Sequence, residues 1–263
     1  MSPAQSILLN LDPIILFVII VMGSVVLSIG GLMVTHFFYP VNKIKLHNDV
    51  AGYIFASLGA IYAVLLAFMV VVSWQQFDTT NKNVVKEANY IASIYRDSEA
   101  FAPAFRTKVR ASLDEYVNAV VNDEWPMLAK GERSMKVQKI SDGIWRLFGG
   151  YQPRSEAERI FFTESVQKLN SEGELRRERI LDSQSGIPGV LWTVLIAGGL
   201  VTIVFTLFFG TENFGAQMVM TALLAMMISS ILYTIFVFDF PFTGSVTVSP
   251  AEFKIVLQNL AKF

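Results

Sequence analysis

The chain of 263 residues is 53% hydrophobic and 13% aromatic but only 16% charged, with a formal net charge of −1 and no cysteine. Soluble domains average about 25% charged residues, so this balance points away from an ordinary soluble fold. Near-zero net charge gives no electrostatic reason to expect a nucleic-acid partner, and without thiols the chain holds no disulfide, thiolate metal site or cysteine nucleophile.

Four stretches lack Asp, Glu, Lys and Arg altogether: residues 13–42, 50–77, 183–211 and 213–238. Crossing about 30 Å of hydrocarbon takes roughly 20 apolar residues in a helix, and each stretch is long enough. A large soluble protein can bury one such helix; a chain of this size cannot bury four. The polar part lies between the second and third runs, and 17 of the 21 Lys and Arg residues fall from Lys82 to Arg179. The expected fold is an all-α membrane protein, with four transmembrane helices in two hairpins and an inserted cytoplasmic helical bundle. Its parts are placed at residues 1–74 (first hairpin), 75–186 (cytoplasmic helical segment), 187–240 (second hairpin) and 241–263 (cytoplasmic C-terminal amphipathic helix).

Lys82, Lys86, Arg176, Arg177, Arg179 and Lys254 lie near span ends on one face, against Lys43 and Lys45 on the other. The positive-inside rule then places both termini and the 75–186 segment in the cytoplasm, with the spans in the cell (inner) membrane. The N-terminus has no basic region, and the apolar run from Ile14 to Phe38 is too long for a signal-peptide core. The first span is therefore expected to stay as an uncleaved anchor.

The first span begins after Pro13 and stops near Tyr39-Pro40. Its Ser24, Ser28, Gly31 and Thr35 share one face, and the second span repeats the device with Gly52, Ala56, Ala60, Ala63 and Ala67. Small faces let helices approach closely in lipid. The bland reading packs these two spans against each other; the sharper one makes the stripes a subunit interface around a pore. No helix breaker falls between Gly59 and Pro103, and Phe77, Val84, Ala88, Ile91 and Tyr95 step as a heptad seam. The second span is therefore expected to run on as one helix to about Ala100. Asn81 also takes a seam position, either setting register or simply solvated.

A second polar-segment helix is expected from Pro103, with Phe105, Val109, Leu113, Tyr116 and Val120 inward, closing near Asp123-Glu124-Trp125-Pro126. Another follows Ser134, with Ile140, Ile144 and Leu147 or Phe148 on its apolar face, and ends at Gly149-Gly150. The last helix of the segment starts at Ser155, with Glu158 completing a capping box, and Gly173 is a candidate interruption. Pro188 opens the third span, Trp192 is placed as an interfacial anchor, and residues 210–215 turn into the fourth. Ser249-Pro250-Ala251-Glu252 starts a last helix with Phe253, Val256, Leu257 and Leu260 on one face, against the bundle or the membrane surface.

Signatures of catalysis are missing: no Gly-rich phosphate loop, no His-Glu-x-x-His, no Gly-x-Ser-x-Gly. No enzyme activity and no cofactor are expected. His36 and His47 flank one loop and, with Asp49, offer a metal set; as interfacial side chains they need none, and no metal site is assigned. The acidic residues of the polar segment read as solvated helix faces. Asp78, Asp182 and Asp239 sit just past span ends, either as ordinary flanks or as an ion-pair cluster with Arg176, Arg177 and Arg179. No span carries a charge near its middle, which lowers the case for a coupled transporter. A passive pore needs only apolar, aromatic and hydroxyl groups. Tyr53, Ser57, Tyr62, Leu65 and Phe68 are the lining candidates on the second span, with Thr221, Ser229, Ser230 and Thr234 on the fourth. The hydroxyls among them serve equally as bonds back to their own helix.

Several stretches together resemble the bestrophin-like family of bacterial and plant membrane proteins. They are Phe55-Ala-Ser-Leu-Gly-Ala-Ile-Tyr-Ala-Val-Leu-Leu-Ala-Phe68, Trp74-Gln75-Gln76-Phe77, Glu124-Trp125-Pro126-Met127, Arg176-Arg177-x-Arg179 before Ile187-Pro188-x-x-Leu191-Trp192, and Asp239-Phe240-Pro241-Phe242-x-Gly244. That family is similar in plan to the bestrophins, pentameric anion channels whose second transmembrane helix lines the pore neck. The resemblance implies an oligomeric ion channel, passing inorganic anions, in a lipid bilayer as a homo-oligomer. No motif here matches the bestrophin calcium site or neck, so no such residue is carried over. The alternative is a non-conducting membrane scaffold or signalling protein acting through its cytoplasmic bundle.

Overall fold

The computed structural model describes residues 2–38, 48–184, 186–211 and 213–260. The described residues form no strand, and four helices are long and apolar enough to cross a membrane: Pro13–Phe38, Asn48–Ala100, Gly189–Leu207 and Phe214–Phe238. The expected stop at Tyr39-Pro40, the loop lysines Lys43 and Lys45, and His47 fall outside the described residues. Two compact units emerge, one of Asn10–Gln76 with Ile187–Asp239, the other of Met1–Leu9, Phe77–Gly186 and Phe240–Phe263.

The first of these units contains α2 (Pro13–Phe38), the apolar part of α3 (Asn48–Asp97), α8 (Gly189–Leu207) and α9 (Phe214–Phe238). Asp12 starts α2 by accepting from the backbone N–H of Ile14 at 2.9 Å, with Pro13 at the first helical position, where a missing N–H costs nothing. The first span packs chiefly on the fourth and also on the third, not on the second as the bland reading had it. Ser24 makes the difference visible, since its hydroxyl lies 2.9 Å from Ser229 Oγ of the fourth span. Buried Tyr62, Leu66 and Met69 of α3 pack with Leu195 of α8 and with Ile228 and Ile235 of α9. Asn48 closes the far end, accepting from Gly210 N–H at 3.1 Å and donating to Gly210 O at 2.8 Å.

The other unit holds α1 (Pro3–Asn10), the polar part of α3, α4 (Pro103–Ala119), α5 (Trp125–Leu128), α6 (Met135–Gly149), α7 (Glu156–Gln184) and α10 (Ala251–Leu260). Its core joins Val84, Ala88, Ile91 and Tyr95 of the heptad seam to Val109, Leu113 and Tyr116 of α4, Ile144 and Phe148 of α6, Leu169 of α7, and Phe253 and Val256 of α10. Burial of Phe253 and Val256 settles the last helix on this core rather than on a membrane surface. Asn81 is exposed.

Three local details correct or add to the expectation. Gly173 does not interrupt α7, which runs unbroken for 29 residues. The helix from Pro103 closes at Leu128, two residues past Pro126: a π-helical turn, Val120–Glu124, carries it into α5 and takes up the proline, which has no N–H to offer an earlier carbonyl. The N-terminal helix α1 was unforeseen, although Ser2-Pro3-Ala4-Gln5 spells its start. Ser2 Oγ accepts from Gln5 N–H at 3.2 Å and Gln5 Oε1 accepts from Ser2 N–H at 2.9 Å, a reciprocal capping box.

Candidate functional site

The second span divides lengthwise into a buried and an open half. At about 100° per residue, Tyr62, Leu66 and Met69 fall on one side and are buried. Ala56, Ala60, Ala63 and Ala67 occupy one open arc, with Gly52 half-buried at its end. Tyr53, Ser57, Ile61, Val64 and Phe68 form the adjoining arc, and Tyr53 and Phe68 are 80% and 64% exposed. Among the described residues, both arcs are left uncovered. A cavity of about 770 Å³ lies beside the second arc, lined by Tyr53, Ser57, Tyr62 and Leu65 of α3 and by Val194, Ala197, Gly198 and Val201 of α8, among others.

The structure thus brings four of the five pore candidates to one cavity and leaves Phe68 off its wall. Tyr62 is a different kind of residue from the other three. It is 6% exposed, its hydroxyl donates to Leu195 O at 2.8 Å, and its ring lies against Gly198 and Gly199. A Cβ on Gly198 would come within 2.6 Å of that ring, so glycine is what lets α8 approach. Ser57 donates to Tyr53 O at 3.1 Å along its own helix.

On the first span, Ser24 and Ser28 bond back to Val21 O and Val25 O, and Thr35 to Gly31 O. Gly31 faces Leu207 of α8, whose Cδ1 would sit 3.0 Å from an added Cβ. This small face is a packing surface within the chain, whereas the matching face of α3 is open. On the fourth span Ser229, Ser230 and Thr234 likewise bond to Ala225 O, Met226 O and Ser230 O of their own helix.

The second arrangement is a buried ion network in the other unit. Glu87 and Glu124 are fully buried, Glu172 and Arg179 are 1% exposed and Arg176 is 5% exposed. Arg179 holds Glu87 with two hydrogen bonds, Nε at 2.8 Å and Nη2 at 2.9 Å, and reaches Glu124 Oε2 at 3.0 Å. Arg176 takes both oxygens of Glu124, at 3.2 and 2.8 Å, and donates to Gln138 Oε1 at 2.9 Å. The Arg179 guanidinium also lies over the Trp125 and Phe253 rings, 5.1 and 5.8 Å from their centres. The π-helical turn aims Glu124 into this cluster.

Three carboxyls therefore meet two guanidiniums. Glu172 is the odd one: its hydrogen-bond partner is the Tyr116 hydroxyl. Burial, reinforced by the charge of Glu87, pushes Glu172 up to about 7. Burial also pushes the Tyr116 hydroxyl up, as do the charges of Glu172 and Glu87. Glu124 goes the other way, because the hydrogen bonds and charges of Arg176 and Arg179 outweigh its burial.

The reading of all these acids as solvated is thus overturned for Glu87, Glu124 and Glu172. The signal was present. Glu87 sits between Val84, Ala88 and Ile91 on the seam, and the inward face of α7 runs Leu169, Glu172, Arg176, Arg179, turning charged without turning outward. Nor do Arg176 and Arg179 pair with the span-end aspartates. Asp239 accepts from Ile187 N–H and, at 3.0 Å, from Trp192 Nε1. Asp182 accepts from Thr80 at 2.7 Å, and Asp78 pairs with Lys82.

A Bestrophin-like domain family model matches residues 22–253. No curated protein matches the sequence. Among solved structures, a bacterial Bestrophin homolog from Klebsiella pneumoniae matches with a TM-score of 0.70 and 11% identity, over 92% of this chain and 97% of that one. Two single-substitution forms of it match with TM-scores of 0.72 and 0.70 and identities of 12% and 13%, over 92% and 94% of this chain and 98% of theirs. At such identities the likeness is one of fold.

Proposed function

The chain belongs to the bestrophin-like family, and from that premise we propose that it is an oligomeric, anion-conducting channel whose second span lines the pore. The observation that carries this reading is the open half of α3. An apolar transmembrane helix gains nothing from lipid by keeping a row of Gly and Ala. Such a row serves close approach of another helix, and among the described residues no helix takes it. In a ring of copies, the arc of Gly52, Ala56, Ala60, Ala63 and Ala67 would meet a neighbouring copy. The adjoining arc of Tyr53, Ser57 and Phe68, with Leu65 at its margin, would face the axis. Tyr62 is better read as an anchor to the third span.

Such a lumen offers hydroxyls and apolar surface but no carboxylate. Cations find no countercharge there, and conduction is controlled by constriction and wetting. The remaining parts of the proposal are topological: hairpins at 1–74 and 187–240, cytoplasmic segments at 75–186 and 241–263, and both termini in the cytoplasm. A reporter fused after Phe263 reads cytoplasmic if this is right.

The direct test is flux of chloride and nitrate in liposomes holding the purified chain, together with particle size. Anion-dependent flux by an oligomeric particle supports the channel. A monomeric particle without flux under any gradient sinks it and leaves a non-conducting scaffold.

A further inference from the structure

One cavity in the helical unit is lined by three cations. It has a volume of about 370 Å³ and lies between the start of α4 and the end of α6. Lys108, Arg146 and Arg154 surround it with Gly150, and Leu147 and Tyr151 supply an apolar wall. Neither Lys108 nor the Arg146 side chain has an ion pair or hydrogen bond among the described residues. Among the described residues, some cations of the unit are matched, Arg106 and Arg110 to Glu99, Lys136 to Asp123 and Lys168 to Asp97, and others such as Arg177 are not; what sets this trio apart is that all three line one cavity.

The acid bonded to two of the lining residues is already engaged. Glu158 accepts from the backbone N–H of Arg154 at 2.7 Å and from the Tyr151 hydroxyl at 3.0 Å, contacts that hold its carboxyl below the ordinary range. Three like charges around one concavity repel each other, and an anion between them reverses the sign of that interaction.

We propose that this cavity binds a small phosphate-bearing anion. A carboxylate carries a single charge. A phosphate carries up to two and presents three oxygens, suited to two forked guanidiniums and an ammonium. The volume is at the small end of ligand cavities, room for a phosphate with a compact polar remainder. The phosphate belongs either to a soluble molecule or to a phospholipid headgroup. The inference stands apart from ion conduction.

Calorimetry on the full chain in uncharged detergent, with inorganic pyrophosphate as probe, tests it. The expected result is saturable binding, one per chain, weakened by added salt. Lys108→Gln and Arg146→Gln should each weaken it about tenfold, the double variant should abolish it, and Arg177→Gln, a control on an exposed site, should leave it unchanged. Because all three side chains are exposed, folding should survive, and circular dichroism checks that. Repeating the titration in nanodiscs identifies the source. Loss of binding when anionic phospholipid replaces neutral lipid assigns the site to a headgroup; unchanged binding assigns it to a soluble phosphate. No saturable heat up to about 10 mM overturns the proposal. So does a double variant that binds like the parent, since the probe then sits elsewhere, a result that would leave the channel reading intact.

Discussion

The hydroxyl of Tyr62 donates to the backbone carbonyl of Leu195 at 2.8 Å while its ring fills the space left by Gly198 and Gly199. A hydrogen bond and a close approach therefore fix the second span to the third at one point. Gly198→Ala should clash with the ring and lower the melting temperature of the purified chain, at a cost of about 1–3 kcal/mol. Pairing it with Tyr62→Ala should cost less than the two single effects added together. Strict additivity in this double-mutant cycle would refute the contact.

Glu172 makes stability depend on pH in a stated direction. Its folded-state value of about 7 lies above the ordinary glutamate value of 4.5. The folded chain thus holds a proton that the unfolded chain has lost between those two values, and stability falls as pH rises through that window. Melting temperature should be higher at pH 5 than at pH 8. Glu172→Gln should flatten that slope, and a slope of the same size in the variant would rule Glu172 out as its source.

Arg179 holds two buried carboxylates at once. Arg179→Met leaves Glu87 without its partner and should cost about 3–5 kcal/mol, enough to abolish expression of folded chain. Arg179→Met combined with Glu87→Gln should recover part of the loss. Fluorescence-detected size exclusion reads both, and no recovery in the double variant would argue against a direct pair.

On the channel reading, Phe68→Ala should raise conductance by removing bulk from the open arc, and Ala60→Trp should disrupt assembly by blocking the small one. Single-channel recording and particle size report the two separately. Unchanged currents in Phe68→Ala would exclude Phe68 from the constriction, and an unaltered oligomer in Ala60→Trp would exclude the small arc from the interface.

Which parts were legible follows from the physics of each. Charge-free runs announce the spans because burying charge in hydrocarbon is expensive, and Ser134 and Ser155 announce helix starts because a hydroxyl satisfies an exposed N–H. Partner choice among spans was not legible: in lipid every face of a span is apolar, so Ser24 gives no sign that it meets Ser229 rather than the second span. The buried acids were missed for the opposite reason. A glutamate on a helix is read as solvated by default, and only the phase of Glu87 with Val84 and Ile91, or of Glu172 with Leu169, says otherwise. The motifs quoted for the family resemblance contain Glu124, Trp125, Arg176 and Arg179 as separate strings. Folding brings them together, with Arg176 and Arg179 both on Glu124 and Arg179 over Trp125.

The π-helical turn at Val120–Glu124 has a consequence for how this chain can change length. Such a turn is one residue longer than the α-helical turn it replaces. Deleting that extra residue, at a solvent-facing position such as Asn122, would restore an ordinary α-helical turn and leave the residues on either side close to their present phase. Glu124 would still meet Arg176, and Trp125 would still lie under Arg179. The same deletion within the α-helical part of α4 would rotate everything after it by about 100° and unpair two buried cations. The turn is therefore a place where this helix can lose a residue without losing the frame of its buried cluster.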